Sequence, residues 1–209
     1  MRSRYSLAAL VLLGAVLAHP GRAVAGVPDP YTSVVPQCLT ACPAGDMPFT
    51  ILVHDLSGAP VVNSNVVLDF TACPAFTLCT PKPSDPYAWN PVTRRISAST
   101  DAIGSVTFPI RAGGVCDTAH GVGVFADGVM LAGRTMASPD QNGDLIVDGA
   151  DNAIVIGKLG LPDPTADFDC DGTVTVADEG ILQAHYPHAC AEPTKADSRS
   201  WGGVKIIYR

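Results

Sequence analysis

Nine aspartates and one glutamate, half of the chain's 20 acidic residues, lie between Ala137 and Cys190, where Lys158 is the only base. Their spacing is regular. Asp140, Asn142, Asp144, Asp148 and Asp151 occupy positions 1, 3, 5, 9 and 12 of one 12-residue stretch, and Asp167, Asp169, Asp171, Thr175 and Asp178 occupy the same positions of a second. Calcium is a hard cation that takes about six to eight oxygens, and a loop of this length supplies them from those side chains plus the position-7 carbonyl. The carbonyls would belong to Ile146 and Thr173. A set of carboxylates and carbonyls without clustered histidine or cysteine disfavours zinc and copper, and one this rich in protein oxygens suits calcium better than magnesium. Two Ca2+ sites are therefore expected. His185-x-x-His188 near Cys190 reads as a helix-end pair beside a disulfide rather than a zinc fragment.

Position 6 of such a loop needs positive φ. The second loop has Gly172 there, but the first has Leu145, and a left-handed non-glycine residue costs on the order of 1 kcal/mol. Loop one is thus expected to be the weaker or more distorted site.

Each loop carries valine at position 8, Val147 and Val174, where paired loops lay short strands side by side. An apolar helical stretch follows each, Ala153–Leu159 and Gly180–His185. Loops that begin 27 residues apart, with exit helices and little room for entering ones, resemble type I dockerin modules rather than paired EF-hands. Aspartate at position 12, where an EF-hand usually has glutamate, fits that resemblance, and other extracellular calcium repeats are the alternative. The resemblance covers 137–190. It implies docking to a cohesin-like partner through the helix faces, with positions 10 and 11, Gly149, Ala150, Val176 and Ala177, reading that partner. None of these is the hydroxyl pair common in cellulosomal modules.

Upstream, the pattern has period two. Phe49–His54, Asn65–Phe70, Ser105–Ile110, Gly121–Ala126 and Val129–Arg134 read as strands, and turn residues such as Ser57-Gly58-Ala59-Pro60 and Asp127-Gly128 separate them. Cys73–Arg95 is a looser, Pro-rich insertion. The residues Val53-x-Asp55-x-x-Gly58-x-Pro60-Val61, Val66-Val67-Leu68 and Thr100-Asp101-Ala102-x-Gly104-x-Val106-x-Phe108 resemble bacterial immunoglobulin-like repeats of the invasin and transthyretin-like sort. The expected fold is mainly β: an antiparallel Ig-like β-sandwich over 28–136, followed by a small α-helical dockerin-like calcium module (an F-hand pair) over 137–190. A tail, 191–209, would either return to a sheet edge or serve as a terminal recognition element. The small module is expected to fold only with calcium, and the sandwich without it.

Arg2 and Arg4, the apolar run Leu7–Ala18 and Ala23-Val24-Ala25 form a signal-peptide pattern over 1–25, which predicts a secreted or cell-surface protein. Its removal takes three arginines and no acid, which leaves 10 basic against 20 acidic residues. Such a surface does not suit a phosphate backbone, so nucleic acid is not an expected partner. No later run is long enough to span a membrane. The seven cysteines are expected to be mostly in disulfides, with one left over. Cys170 and Cys190, the two in the acidic segment, are the expected pair there, and pairing among Cys38, Cys42, Cys73, Cys79 and Cys116 stays open.

Catalysis has little to rest on. The chain lacks a Gly-x-Ser-x-Gly elbow, a His-Glu-x-x-His helix and a phosphate-cradling glycine loop. Asp46, Asp55, Asp69 and Asp85 could supply a carboxylate pair for glycoside hydrolysis, but a β-sandwich this short offers little cleft. His54 and His120 read as strand-surface or turn residues. The expected function is non-catalytic, a calcium-binding scaffold or adaptor. Alternatives are docking of the module within its own chain, an accessory component of polysaccharide breakdown, with polysaccharide as partner, and a purely structural surface protein whose calcium module packs on its own sandwich.

Overall fold

The computed structural model describes residues 26–117 and 121–190. The signal-peptide segment, His120 and the 191–209 tail lie outside the described residues. Five of the strands grow from the alternating segments: β2 (Phe49–Leu52), β3 (Asn65–Asp69), β7 (Ser105–Phe108), β9 (Val122–Ala126) and β10 (Val129–Ala137). In β3 and β9 burial alternates residue by residue, so Val66, Leu68, Val122 and Val124 all face inward. The other strands are β1 (Cys38–Thr40), β4 (Thr77–Leu78), β5 (Ala88–Asn90), β6 (Arg95–Ser99) and β8 (Ala112–Gly113). Two helices close the described chain, α1 (Gly149–Lys158) and α2 (Val176–Ala184).

The expected fold needs correction. One six-stranded sheet, in the order β1-β10-β9-β3-β6-β5, takes most of the strands, and β1 runs parallel to β10. The remaining strands make two separate two-stranded ribbons, β2 with β7 and β4 with β8. An antiparallel Ig-like sandwich followed by an F-hand pair is therefore not what forms. The Pro-rich segment expected to be loose contributes β4 and β5, and the Trp89 side chain on β5 packs against the core.

Nor do the acidic loops and helices bury their apolar residues apart from the β-structure. Val147, Val155, Ala166, Phe168, Val174 and Leu182 form a second core together with Cys42, which follows β1, and Ala137, which ends β10; Met47 packs against it. The first core, with Phe70, Phe76, Phe108 and Leu68, draws buried residues from both the sheet and the ribbons.

Three disulfides join Cys38 to Cys170, Cys73 to Cys116 and Cys79 to Cys190. Cys170 and Cys190 are both bridged, but each to the β-structure rather than to one another. The reason is placement: loop two lies beside β1, and the end of the described chain lies against the β4–β8 ribbon, where Arg111 also donates to the Cys190 carbonyl at 2.9 Å. Among the described residues no helix is long and apolar enough to cross a membrane. The disulfides and that finding are compatible with an extracellular protein.

Candidate metal centre

Every acidic residue singled out by its spacing falls in one of two loops with closely similar internal hydrogen bonding. At position 1, Asp140 Oδ1 accepts from Gly143 N (2.8 Å) and Oδ2 from Leu145 N (2.7 Å). Asp167 does the same work in loop two, taking the N–H groups of Asp171 (3.1 Å) and Gly172 (2.8 Å). Positions 3 and 5 each fold the chain back two residues. Asn142 accepts from Asp144 N, and Asp144 from Ile146 N; Asp169 accepts from Asp171 N, and Asp171 from Thr173 N. These are turns that aspartate and asparagine make with their own backbone.

Position 12 closes each loop. Asp151 accepts from Gln141, Asn142 and Asp148 N–H groups, and Asp178 from Phe168, Asp169 and Thr175 N–H groups. Both carboxylates are fully buried. They are also the helix starts, because Asp148 and Thr175 are N-caps and Asp151 and Asp178 complete the capping boxes. Hence the helices begin at position 10, at Gly149 and Val176, well before the Ala153 and Gly180 that the apolar periodicity suggests. The signal was present in Asp148-x-x-Asp151 and Thr175-x-x-Asp178, an N-cap residue followed three positions later by an acid.

In loop two, carboxylate oxygens of Asp167, Asp169 and Asp171 lie within 4.8 Å of one another. Loop one has an amide at the middle position, and Asn142 Nδ2 donates to Asp144 Oδ2 at 3.2 Å. Asp140 is the more enclosed. Gly114 N donates to its carbonyl at 2.7 Å, and a Cβ at Gly113 would collide with its carboxylate, so only glycine lets β8 lie that close. Burial pushes the Asp140 carboxyl up to about 6, opposed by the Leu145 and Gly143 hydrogen bonds and aided by the charges of Asp151 and Asp144. Burial likewise raises Asp151.

Backbone strain is shared by the two loops. Leu145 at position 6 has φ 72°, as the missing glycine implies, and Gly172 has φ 99°. Position 4 is left-handed too, Gly143 at φ 76° in loop one and Cys170 at φ 63° in loop two. Each loop therefore carries one non-glycine residue in the left-handed region, and strain does not by itself rank them. Leu145→Gly is expected to stabilise the protein by about 1 kcal/mol, less the extra chain entropy that glycine gives the unfolded state; a denaturant midpoint that falls instead would show that the Leu145 side chain contributes more than its backbone costs.

Val147 and Val174 do not pair as strands. Both are fully buried in the second core, but Val147 N donates to the His188 carbonyl (2.9 Å) and Val174 N to the Leu161 carbonyl (2.9 Å). Ile146 bridges Ala189 instead. Gly149, Ala150, Val176 and Ala177 are all exposed at the helix starts. Lys158, the lone base, ties α1 to the segment before loop two through Asp163 (3.2 Å) and Thr165 Oγ1 (2.7 Å), and donates to Gln141 Oε1 of loop one (3.0 Å).

The four aspartates considered for glycoside chemistry have separate partners. Asp55 accepts from Ser57 and Ala59, Asp69 pairs with Arg95 at 2.7 Å, Asp85 with Arg111 at 3.6 Å, and Asp46 sits by His185 and His188. His54 Nδ1 lies 3.0 Å from the Thr32 carbonyl. No protein-family model matches the chain, and no curated protein or solved structure does either.

Proposed function

We propose that the chain is a secreted, non-catalytic scaffold or adaptor stabilised by two calcium ions, one in Asp140–Asp151 and one in Asp167–Asp178. The observation that carries this reading is the repetition of one hydrogen-bond scheme in two loops whose positions 1, 3, 5, 9 and 12 all bear oxygen. In loop two the carboxylate oxygens of positions 1, 3 and 5 lie within 4.8 Å of one another, which is the donor chemistry of a hard cation. Loop two is the tighter site, because positions 1, 3 and 5 are all carboxylates there. Calorimetric titration of chelator-stripped protein is expected to register two calcium ions, with Asp171→Ala losing more binding than Asp144→Ala. Absence of uptake would overturn the reading, and the opposite order of the variants would reverse the ranking.

Docking is the work such an adaptor would do. Supporting it, the helix region exposes Ile156, Leu161 and Val176, the last 75% accessible, beside Gly149, Ala150 and Ala177. A pull-down against cohesin-like proteins, with and without calcium, tests this.

Loop one should also be pH-dependent. A carboxyl raised to about 6 in the folded chain holds a proton that the unfolded chain, at the ordinary 3.8, has lost. The calcium-free fold therefore gains stability as pH falls through 6 and is penalised at neutral pH. Calcium must displace that proton, so its uptake by loop one is expected to weaken below pH 6 with proton release. Titration at pH 5.5 in buffers of different ionisation enthalpy reads the proton directly, and Asp140→Asn should abolish its release.

A further inference from the structure

Cys42 is the one cysteine among the described residues outside a disulfide, and it is fully buried. What surrounds it is not apolar alone. Its Sγ lies 3.6 Å from His188 Nδ1, that nitrogen lies 3.2 Å from Asp46 Oδ2, and His185 Nε2 lies 3.8 Å from the same oxygen. One donor atom from each of the four residues falls within 4.8 Å of the other three. Cys42 and Asp46 come from the turn after β1, and His185 and His188 from the segment that follows α2. Cys190, the cysteine nearest the histidines in sequence, is bridged to Cys79 and takes no part.

The tautomer of His185 is fixed by its outer contact. Its Nδ1 lies 2.7 Å from the Ile181 carbonyl, which can only accept, so Nδ1 carries the proton and Nε2 turns a lone pair toward the cluster. A backbone carbonyl behind a ligating imidazole is the usual support of a metal-bound histidine. Sulfur, two imidazole nitrogens and one carboxylate oxygen make a borderline-soft set of four. With zinc bonds of about 2.0–2.3 Å, the edges of a tetrahedron are about 3.3–3.6 Å, and the three separations above fall around that range.

We propose that Cys42, Asp46, His185 and His188 form a four-coordinate site for a zinc-class divalent transition metal, chemically distinct from the two all-oxygen loops. Burial holds the Cys42 thiol far above its usual range, so it is a neutral thiol until a cation arrives. Binding breaks the S–H bond, the thiolate takes the metal, and the proton leaves to solvent. The entry path is on the imidazole side, where Asp46 is 45% and His188 31% exposed while His185 is 15%. The metal-free alternative is a thiol–imidazole hydrogen bond beside a carboxylate–imidazole contact.

The test uses the full chain with its disulfides intact, stripped of metal and then saturated with calcium, so that the oxygen loops are filled. Cobalt(II) is titrated in as the probe. We expect a sulfur-to-cobalt charge-transfer band and tetrahedral ligand-field bands that saturate at one equivalent and are bleached by one equivalent of zinc. Cys42→Ser should lose the charge-transfer band, and His188→Gln should weaken cobalt binding by about tenfold or more while leaving the calcium titration and far-ultraviolet circular dichroism unchanged. A folded wild-type chain whose Cys42 titrates as a free thiol after denaturation, yet which gives no charge-transfer band, overturns the site. So does a band that survives Cys42→Ser.

Discussion

Excess chelator is expected to lower the stability of the calcium-loaded chain by about 5 kcal/mol. A ligand that binds only the native state contributes about 2.7 kcal/mol per site at a hundredfold excess over Kd, and the two loops act in parallel. The electrostatics point the same way. Residues 137–190 carry ten acids and one base, net −9, and two divalent ions bring that to −5, which relieves repulsion among carboxylates held within 4.8 Å of one another in loop two. The loss should fall on the second core. Hydrogen exchange at Val147, Val155, Val174 and Leu182 is expected to rise by orders of magnitude on chelation, while Leu68 and Val124 in the first core change little. Equal protection with and without chelator would mean that the acidic loops hold themselves without a metal.

Breaking the long bridges should cost as much. Cys38–Cys170 and Cys79–Cys190 close separations of 132 and 111 residues, and a chain-entropy estimate gives about 5 kcal/mol for each taken alone. Cys73–Cys116 closes 43 residues and is worth about 4 kcal/mol on the same estimate. The long rings overlap, so their effects are not additive: with one closed, the other constrains a shorter span. Cys38→Ser with Cys170→Ser and, separately, Cys79→Ser with Cys190→Ser should each lower the denaturant midpoint sharply. Cys38→Ser with Cys170→Ser should also weaken calcium binding at loop two, since it releases the strained Cys170 backbone at position 4. A double variant with unchanged calcium affinity would show that the ion alone sets that loop.

The two acidic loops were legible because the contacts that shape them are local. All the side-chain oxygens of a site come from 12 consecutive residues, so spacing in the sequence is spacing in space. The same locality made five of the strands readable, as alternation shows in Asn65–Asp69 and Val122–Ala126, whereas Arg95–Ser99 was missed. It failed where partners are distant. Cys42 and His188 are 146 positions apart, and no pattern near His185-x-x-His188 announces the sulfur it meets. Disulfide pairing was hidden for the same reason, and Cys170 with Cys190 was the choice of proximity along the chain over proximity in the fold. The ribbon strands Thr77–Leu78 and Ala112–Gly113 are too short for any period to register. The joint core was invisible as well, because Cys42 and Ala137 look like members of the β-structure until their neighbours across the interface are known.

The long bridges also decide which parts of the chain can feel a pull. Tension applied between Gly26 and Cys190 runs along the backbone to Cys38, crosses to Cys170, and continues through α2 to the end of the described chain. Cys79–Cys190 closes a parallel path through residues 38–79, so the segment between Cys79 and Cys170, on the order of 300 Å of contour, is the stretch bypassed while both bridges stand. Loop one, at Asp140–Asp151, lies inside the bypassed stretch. Most of loop two, from Asp171 to Asp178, lies in the loaded one. Under such a load the two acidic loops would therefore sit in different mechanical circumstances, one shielded and one carrying load, although their internal hydrogen bonding is nearly the same.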